Sequence, residues 1–173
     1  FNIKQKINLA RNVITKSAPI YVQFYITARC NLACEQCNII YADAKHQEMN
    51  IEQINQVAEN LKKISVGIVL LIGGEPFVRK DISEIVKAFT SRNIHVRMQT
   101  NGIATREQLE NCVKAGGKDI SISLDTLKPS VQDKINGGFN KSWEKAIDTI
   151  ALVGDIFPKN STATPSRLTN EAC

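Results

Sequence analysis

The sequence predicts an α/β fold in which parallel strands, joined by helices, curl toward a barrel. Three observations carry that reading. Strand-like and helix-like apolar patterns alternate in the order βαβαβαβα, which implies parallel strands and right-handed crossovers. The run Val66–Ile72 is apolar on both faces and short, as a buried parallel strand should be. Strands one and four each carry a polar face, Gln23/Tyr25/Thr27 and Ser121/Ser123/Asp125, which suits a lumen holding water or a ligand. A solvent-facing edge explains strand four equally well.

Residues 1–18 read as a polar lead-in with room for a short helix. Residues 21–27 alternate, with Val22, Phe24 and Ile26 on the apolar face, and form the first strand. Residues 50–64 place Ile51, Ile54, Val57, Ala58, Leu61 and Ile64 at helical spacing, with Asn50 as N-cap and Gln53 three residues on. Gly73-Gly74 breaks the second strand. A helix follows over 81–91, then a strand over 94–98 closed by Thr100-Asn101-Gly102. Thr105 caps a helix that Gly116-Gly117 stops. Ile120, Ile122 and Leu124 mark strand four, and the last helix, about 142–153, buries Trp143, Ala146, Ile147 and Ile150. The core domain thus spans 19–157. Residues 158–173 are Ser/Thr/Pro-rich without apolar period and read as a disordered tail.

Lys and Arg number 22 against 17 acidic residues, a net charge of +5. The excess is scattered, as at Lys62-Lys63 and Arg79-Lys80, and argues for a solvated surface and against nucleic acid as partner. The longest apolar run is too short to span a bilayer, and no signal peptide is visible, so a cytoplasmic location is expected. The chain starts at Phe1, which suggests a processed or partial chain.

Five cysteines stand at 30, 34, 37, 112 and 173, three of them directly after the first strand. Clustered thiolates are soft donors for iron–sulfur clusters or zinc. Three can hold three corners of a [4Fe–4S] cube and leave one iron open. A structural zinc would want a fourth ligand, which only His46, Cys112 or Cys173 could supply. A buried helical stripe is a third reading, disfavoured by the polar flanks Asn31, Glu35, Gln36 and Asn38. Glycines 73 and 74 allow close backbone approach to a ligand, and Glu75 adds an anionic acceptor; a plain strand-to-helix turn begun by Pro76 explains the same residues. Thr100 and Ser123 lie at strand ends, where ligands gather in α/β barrels. Asp125 reads as a ligand group or as a turn cap. Cys112, beside Leu109 and Val113, reads as a core residue. Arg97 faces the lumen or forms a structural ion pair. His46 and His95 show no partner.

Cys30-x3-Cys34-x2-Cys37, Gly73-Gly74-Glu75-Pro76, Thr100-Asn101-Gly102 and Ser121-Ile-Ser-Leu-Asp125 together resemble the radical S-adenosylmethionine (SAM) superfamily. They are similar to its branch of molybdopterin-precursor synthases and peptide- and tetrapyrrole-modifying enzymes. The resemblance covers about residues 20–153. It implies a partial (β/α)6 barrel, of which four βα units are visible here, and a [4Fe–4S] cluster on Cys30, Cys34 and Cys37. It also implies S-adenosylmethionine held by Gly73, Gly74, Glu75, Pro76, Thr100, Asn101, Ser123 and Asp125. The implied activity is reductive cleavage of S-adenosylmethionine to a 5′-deoxyadenosyl radical that takes hydrogen from a small-molecule or peptide substrate. An electron donor such as a flavodoxin or ferredoxin is implied too. Gln36 and Asn38 depart from the aromatic or His residues common beside the third cysteine. The competing expectation is a non-catalytic truncated remnant or a zinc-stapled α/β domain. Four strands would leave the outer edge of strand four unpaired.

Overall fold

The computed structural model describes residues 3–15, 19–37, 47–157 and 163–165. Five parallel strands form one sheet in sequential order: β1 Tyr21–Thr27, β2 Ile68–Gly73, β3 His95–Thr100, β4 Asp119–Ile122 and β5 Ala163–Pro165. The α-helices of the described residues are α1 Ile3–Thr15, α2 Ile51–Lys63, α3 Ile82–Thr90, α4 Arg106–Lys114, α5 Pro129–Ile135 and α6 Ser142–Ile156.

The expected caps form. Asn50 and Gln53 make a reciprocal capping box at α2, and Thr105 with Gln108 makes another at α4. Val69 and Leu71, Val96 and Met98, and Ile120 and Ile122 point from the strands into one buried core. There they meet Ile54, Ile85, Phe89, Leu109 and Val153 from the helices. Phe24 of β1 stands edge-on to Phe89 of α3, ring centroids 5.8 Å apart. Cys112 is fully buried in this core, and burial pushes its thiol up to about 12.

Four expectations are corrected. Within the stretch read as a disordered tail, Ala163–Pro165 forms β5 and pairs with β4 through Ile120–Ala163 to Ile122–Pro165, so the edge of β4 is covered there. The remainder of that tail, with His46 and Asn38, lies outside the described residues. On α6 the buried positions are Ser142, Ala146, Thr149 and Val153, with Trp143, Ile147 and Ile150 only half-buried. The stripe is rotated because Thr149 turns inward to donate to the Gly102 carbonyl at 2.6 Å. Strand four ends at Ile122, so Ser123 and Asp125 lie on the loop beyond it. Finally, His95 has a partner: its Nε2 lies 3.3 Å from Asp119 Oδ2, while Arg97 Nε lies 3.8 Å from Asp119 Oδ1. Arg97 therefore takes part in an ion pair on the sheet.

Opposite the helices, the sheet turns Gln23 and Tyr25 outward, Tyr25 being 59% exposed. No helix among the described residues is long and apolar enough to cross a membrane.

Candidate functional site

Parallel strands deliver all their C-terminal ends to one edge of a sheet, and the loops there share one mouth. That edge holds an open cleft of about 450 Å³. The residues expected to hold the cofactors all line it: Cys30, Cys34 and Cys37 beyond β1, Gly73–Pro76 at β2, Thr100 and Asn101 at β3, Ser123 and Asp125 beyond β4.

The turn after β2 is fastened to the chain that leaves β1. Gly74 N–H donates to Thr27 O at 2.9 Å and Glu75 N–H to Arg29 O at 2.8 Å. A Cβ on Gly74 would lie 2.2 Å from Arg29 O, and one on Gly73 2.3 Å from Thr27 O. The glycines thus admit the protein's own backbone, which sequence alone had offered to a ligand. Pro76 opens a short 3-10 turn, Pro76–Val78, capped by Glu75.

Glu75 is only 1% exposed. Its Oε1 accepts from Thr100 Oγ1 (2.9 Å) and Phe77 N (3.0 Å), and its Oε2 from Asn101 N (2.7 Å). Burial pushes its carboxyl up to about 7 against the pull of these three bonds. Thr100 gives its hydroxyl proton to Glu75, so this hydroxyl holds the turn and cannot also donate to a ligand.

The cysteine loop rests on the far end of α5. Glu35 N–H donates to Ile135 O at 3.1 Å, and a Cβ on Gly137, at φ 78°, would strike Ala33 O at 2.3 Å. Cys34 Sγ lies 3.5 Å from Asn136 Oδ1. Cys30 Sγ accepts from Leu32 N at 3.4 Å and lies 3.9 Å from Asn101 Nδ2. Burial raises the Cys30 thiol and pushes Cys34 up to about 11, so both sulfurs keep their protons at neutral pH. Among the described residues no three His, Cys, Asp or Glu side chains converge on a single ion.

Asp125 does not cap α5, whose N-cap is Lys128; its Oδ2 faces Gln132 Nε2 at 3.4 Å. Gln132 Oε1 accepts from both Asp125 N and Thr126 N at 3.0 Å. Gln132 and Asn136, absent from the sequence reading, therefore tie the loop after β4 to the cysteine loop. The signal that could have found them was the Pro129 start and Gly137-Gly138 stop of a short helix. Gln99 joins the cleft wall at β3 for the same reason as Thr100 and was also missed.

Comparison with known proteins agrees with this arrangement. Residues 24–166 match the model of the Radical SAM superfamily. The chain is 33% identical over 135 residues to the GTP 3′,8-cyclase of Peptoclostridium acidaminophilum, covering 75% of this chain and 41% of that protein. It is 32% identical over 121 residues to the mycofactocin maturase MftC of Mycolicibacterium smegmatis, covering 69% and 31%. The chain therefore spans less than half the length of these relatives. Streptococcus suis SuiB, solved with its precursor peptide SuiA, shares the fold with a TM-score of 0.70 at 19% identity, over 87% of this chain and 34% of SuiB. With a family match over most of its length and the four motif segments around one cleft, the chain belongs to the radical SAM superfamily, whose cofactors are a [4Fe–4S] cluster and S-adenosylmethionine.

Proposed function

We propose that this chain forms the cofactor-binding part of an enzyme that cleaves S-adenosylmethionine reductively and abstracts hydrogen from a peptide or small-molecule substrate. The observation that carries the reading is the meeting of eleven motif residues in one cleft of about 450 Å³. The donor set fits the cluster: three thiols, which are soft donors, line the wall of one cleft, while Cys112 is buried in the core. Cys30, Cys34 and Cys37 are assigned as its ligands. When bound and reduced, such a cluster would supply the one electron needed for reductive cleavage of the S–C5′ bond of S-adenosylmethionine, and so the means to abstract hydrogen from a substrate.

The protein's own residues bind and orient. Gly73 and Gly74 offer carbonyls to the methionine amine. Glu75 accepts three donors, which leaves one lone pair for that cation. Pro76 and Thr100 hold Glu75 in place, while Asn101, Ser123 and Asp125 line the remaining wall. The substrate class is drawn broadly because one relative is named a GTP cyclase and the structural neighbour SuiB is bound to a precursor peptide. An electron donor of the flavodoxin or ferredoxin class and a reducing cytoplasmic setting complete the proposal.

The test is anaerobic reconstitution with iron and sulfide, followed by dithionite and S-adenosylmethionine. The expected results are a brown [4Fe–4S] absorption, a changed spectrum of the reduced centre on adding S-adenosylmethionine, and slow release of 5′-deoxyadenosine. Zinc binding in place of iron, or a reduced cluster indifferent to S-adenosylmethionine, would overturn the assignment.

A further inference from the structure

Asn101 sits where three motifs meet, and its backbone N–H and both ends of its side-chain amide have partners. Its backbone N–H donates to Glu75 Oε2 at 2.7 Å. Its side-chain Oδ1 accepts from Ile103 N at 3.0 Å. A backbone N–H can only donate, so this bond fixes which end of the amide is oxygen and which is nitrogen. The Nδ2 end is thereby turned toward the cysteine loop, where its two hydrogens meet two acceptors: Asn31 Oδ1 at 2.7 Å and Cys30 Sγ at 3.9 Å. Cys34 has the opposite neighbour, the carbonyl oxygen of the Asn136 amide at 3.5 Å. That oxygen is fixed in turn, because Gln132 Nε2 donates to it at 3.3 Å and Asn136 Nδ2 is given to Ser142 Oγ at 2.9 Å. The two sulfurs therefore stand in unlike surroundings: Cys30 Sγ has the N–H groups of Leu32 and Asn101 beside it as well as Asn31 Oδ1 at 3.9 Å, whereas Cys34 Sγ stands against the Asn136 oxygen.

Resting on the assignment of Cys30 as a cluster ligand, we propose that Asn101 is a positioning residue of the metal centre. It holds a side-chain N–H on the Cys30 sulfur and so raises the reduction potential of the bound cluster. An N–H directed at a ligand sulfur draws electron density from it and favours the reduced, more negative cluster. Leu32 N–H reaches the same sulfur at 3.4 Å and belongs to the loop itself, whereas the Asn101 contact comes from β3. Because Glu75 holds the Asn101 backbone, the turn after β2 sets how closely that donor approaches Cys30.

The experiment compares the full chain with Asn101→Asp and Asn101→Leu, each reconstituted anaerobically and checked for iron and sulfide content. Asn101→Asp keeps the acceptor for Ile103 N–H and removes the donor; Asn101→Leu removes both at similar size. Redox titration followed by electron paramagnetic resonance should give a more negative midpoint potential in both variants, larger for Asp because it adds charge. The shift of the cysteinyl Fe–S stretching bands on transfer to D2O should also shrink. Unmoved potentials at full loading would overturn the proposal, and loss of loading in both variants would do so too by assigning Asn101 a purely structural role. Failure of the unsubstituted chain to take up a [4Fe–4S] cluster would instead defeat the cluster assignment, which separates the two outcomes.

Discussion

The carbonyl oxygen of Arg29 fills the space in which a side chain on Gly74 would begin, 2.2 Å from the ideal Cβ position. Arg29 immediately precedes the first cysteine of the loop. The turn after β2 and the start of the cysteine loop are thus one packed unit, and a change on one side is felt on the other.

Gly74→Val should therefore lose more than S-adenosylmethionine binding. Neither Arg29 O nor the sheet beneath it can yield, so the variant should be destabilised by at least about 2 kcal/mol and load less iron. Thermal unfolding and iron analysis check this together. Normal loading and stability with only S-adenosylmethionine affinity reduced would return the glycine to the ligand-approach role first read from the sequence.

Cys34→Ala should abolish assembly of the cluster, because two remaining thiolates cannot anchor the cube. Cys112→Ala is the matched control: Cys112 is fully buried in the core on α4 and does not line the cleft. Iron and sulfide analysis should find the control loaded as the parent is. Equal loading in the two variants contradicts the assignment of Cys34.

Glu75 should make S-adenosylmethionine binding pH-dependent. Burial raises its carboxyl from 4.5 to about 7, so the free protein carries the anion only above that range. Affinity for the cationic ligand should rise as pH passes upward through 7. Stability of the metal-free chain should run the other way. Between about 4.5 and 7 the native state keeps a proton that the unfolded chain has lost, so stability falls as pH rises through that window. Glu75→Gln should remove both slopes, weaken binding above pH 7, and leave a chain at least as stable at pH 8. Calorimetric titration and melting across pH 5 to 8 measure the two effects; a flat binding profile in the parent would refute the assigned role.

Gln132→Leu removes the acceptor for two backbone N–H groups, Asp125 and Thr126, at a side chain 2% exposed. Leaving buried donors unpaired should cost about 2–4 kcal/mol. The loop carrying Asp125 should also loosen, seen as faster amide exchange at residues 123–126. Unchanged exchange there would mean that the loop is held by its own turn alone.

The order of strands and helices was legible because period and caps agreed: Asn50 with Gln53, Thr105 with Gln108, and the two-sided apolar run of β2. The motif residues were legible as a set, since each follows a strand and parallel strands share an edge. What the glycines do was not, because a sequence shows that a backbone is bare but not what lies against it. For Gly74 it is Arg29, 45 residues earlier. The α5 helix escaped because seven residues, mostly polar, give little apolar period. Strand β5 escaped because Ala-Thr-Pro carries no strand pattern, and its place is set by pairing with β4. His95 found Asp119 only through the register that places neighbouring strands side by side.

Gly137 against Ala33 joins points more than a hundred residues apart, and this has a consequence for how the chain comes into being. Synthesis runs from the N-terminus, so the three cysteines emerge from the ribosome before anything that shapes them. Glu75 and Asn101 follow, and Asn136 and Gly137 come last. Until roughly four-fifths of these 173 residues have been made, the thiols sit on a loop without its supports. Iron offered before α5 is made would meet thiols without these supports, whereas iron offered once α5 has closed would meet a shaped cleft. The cysteine loop thus takes its final shape only once α5, made a hundred residues later, has closed against it.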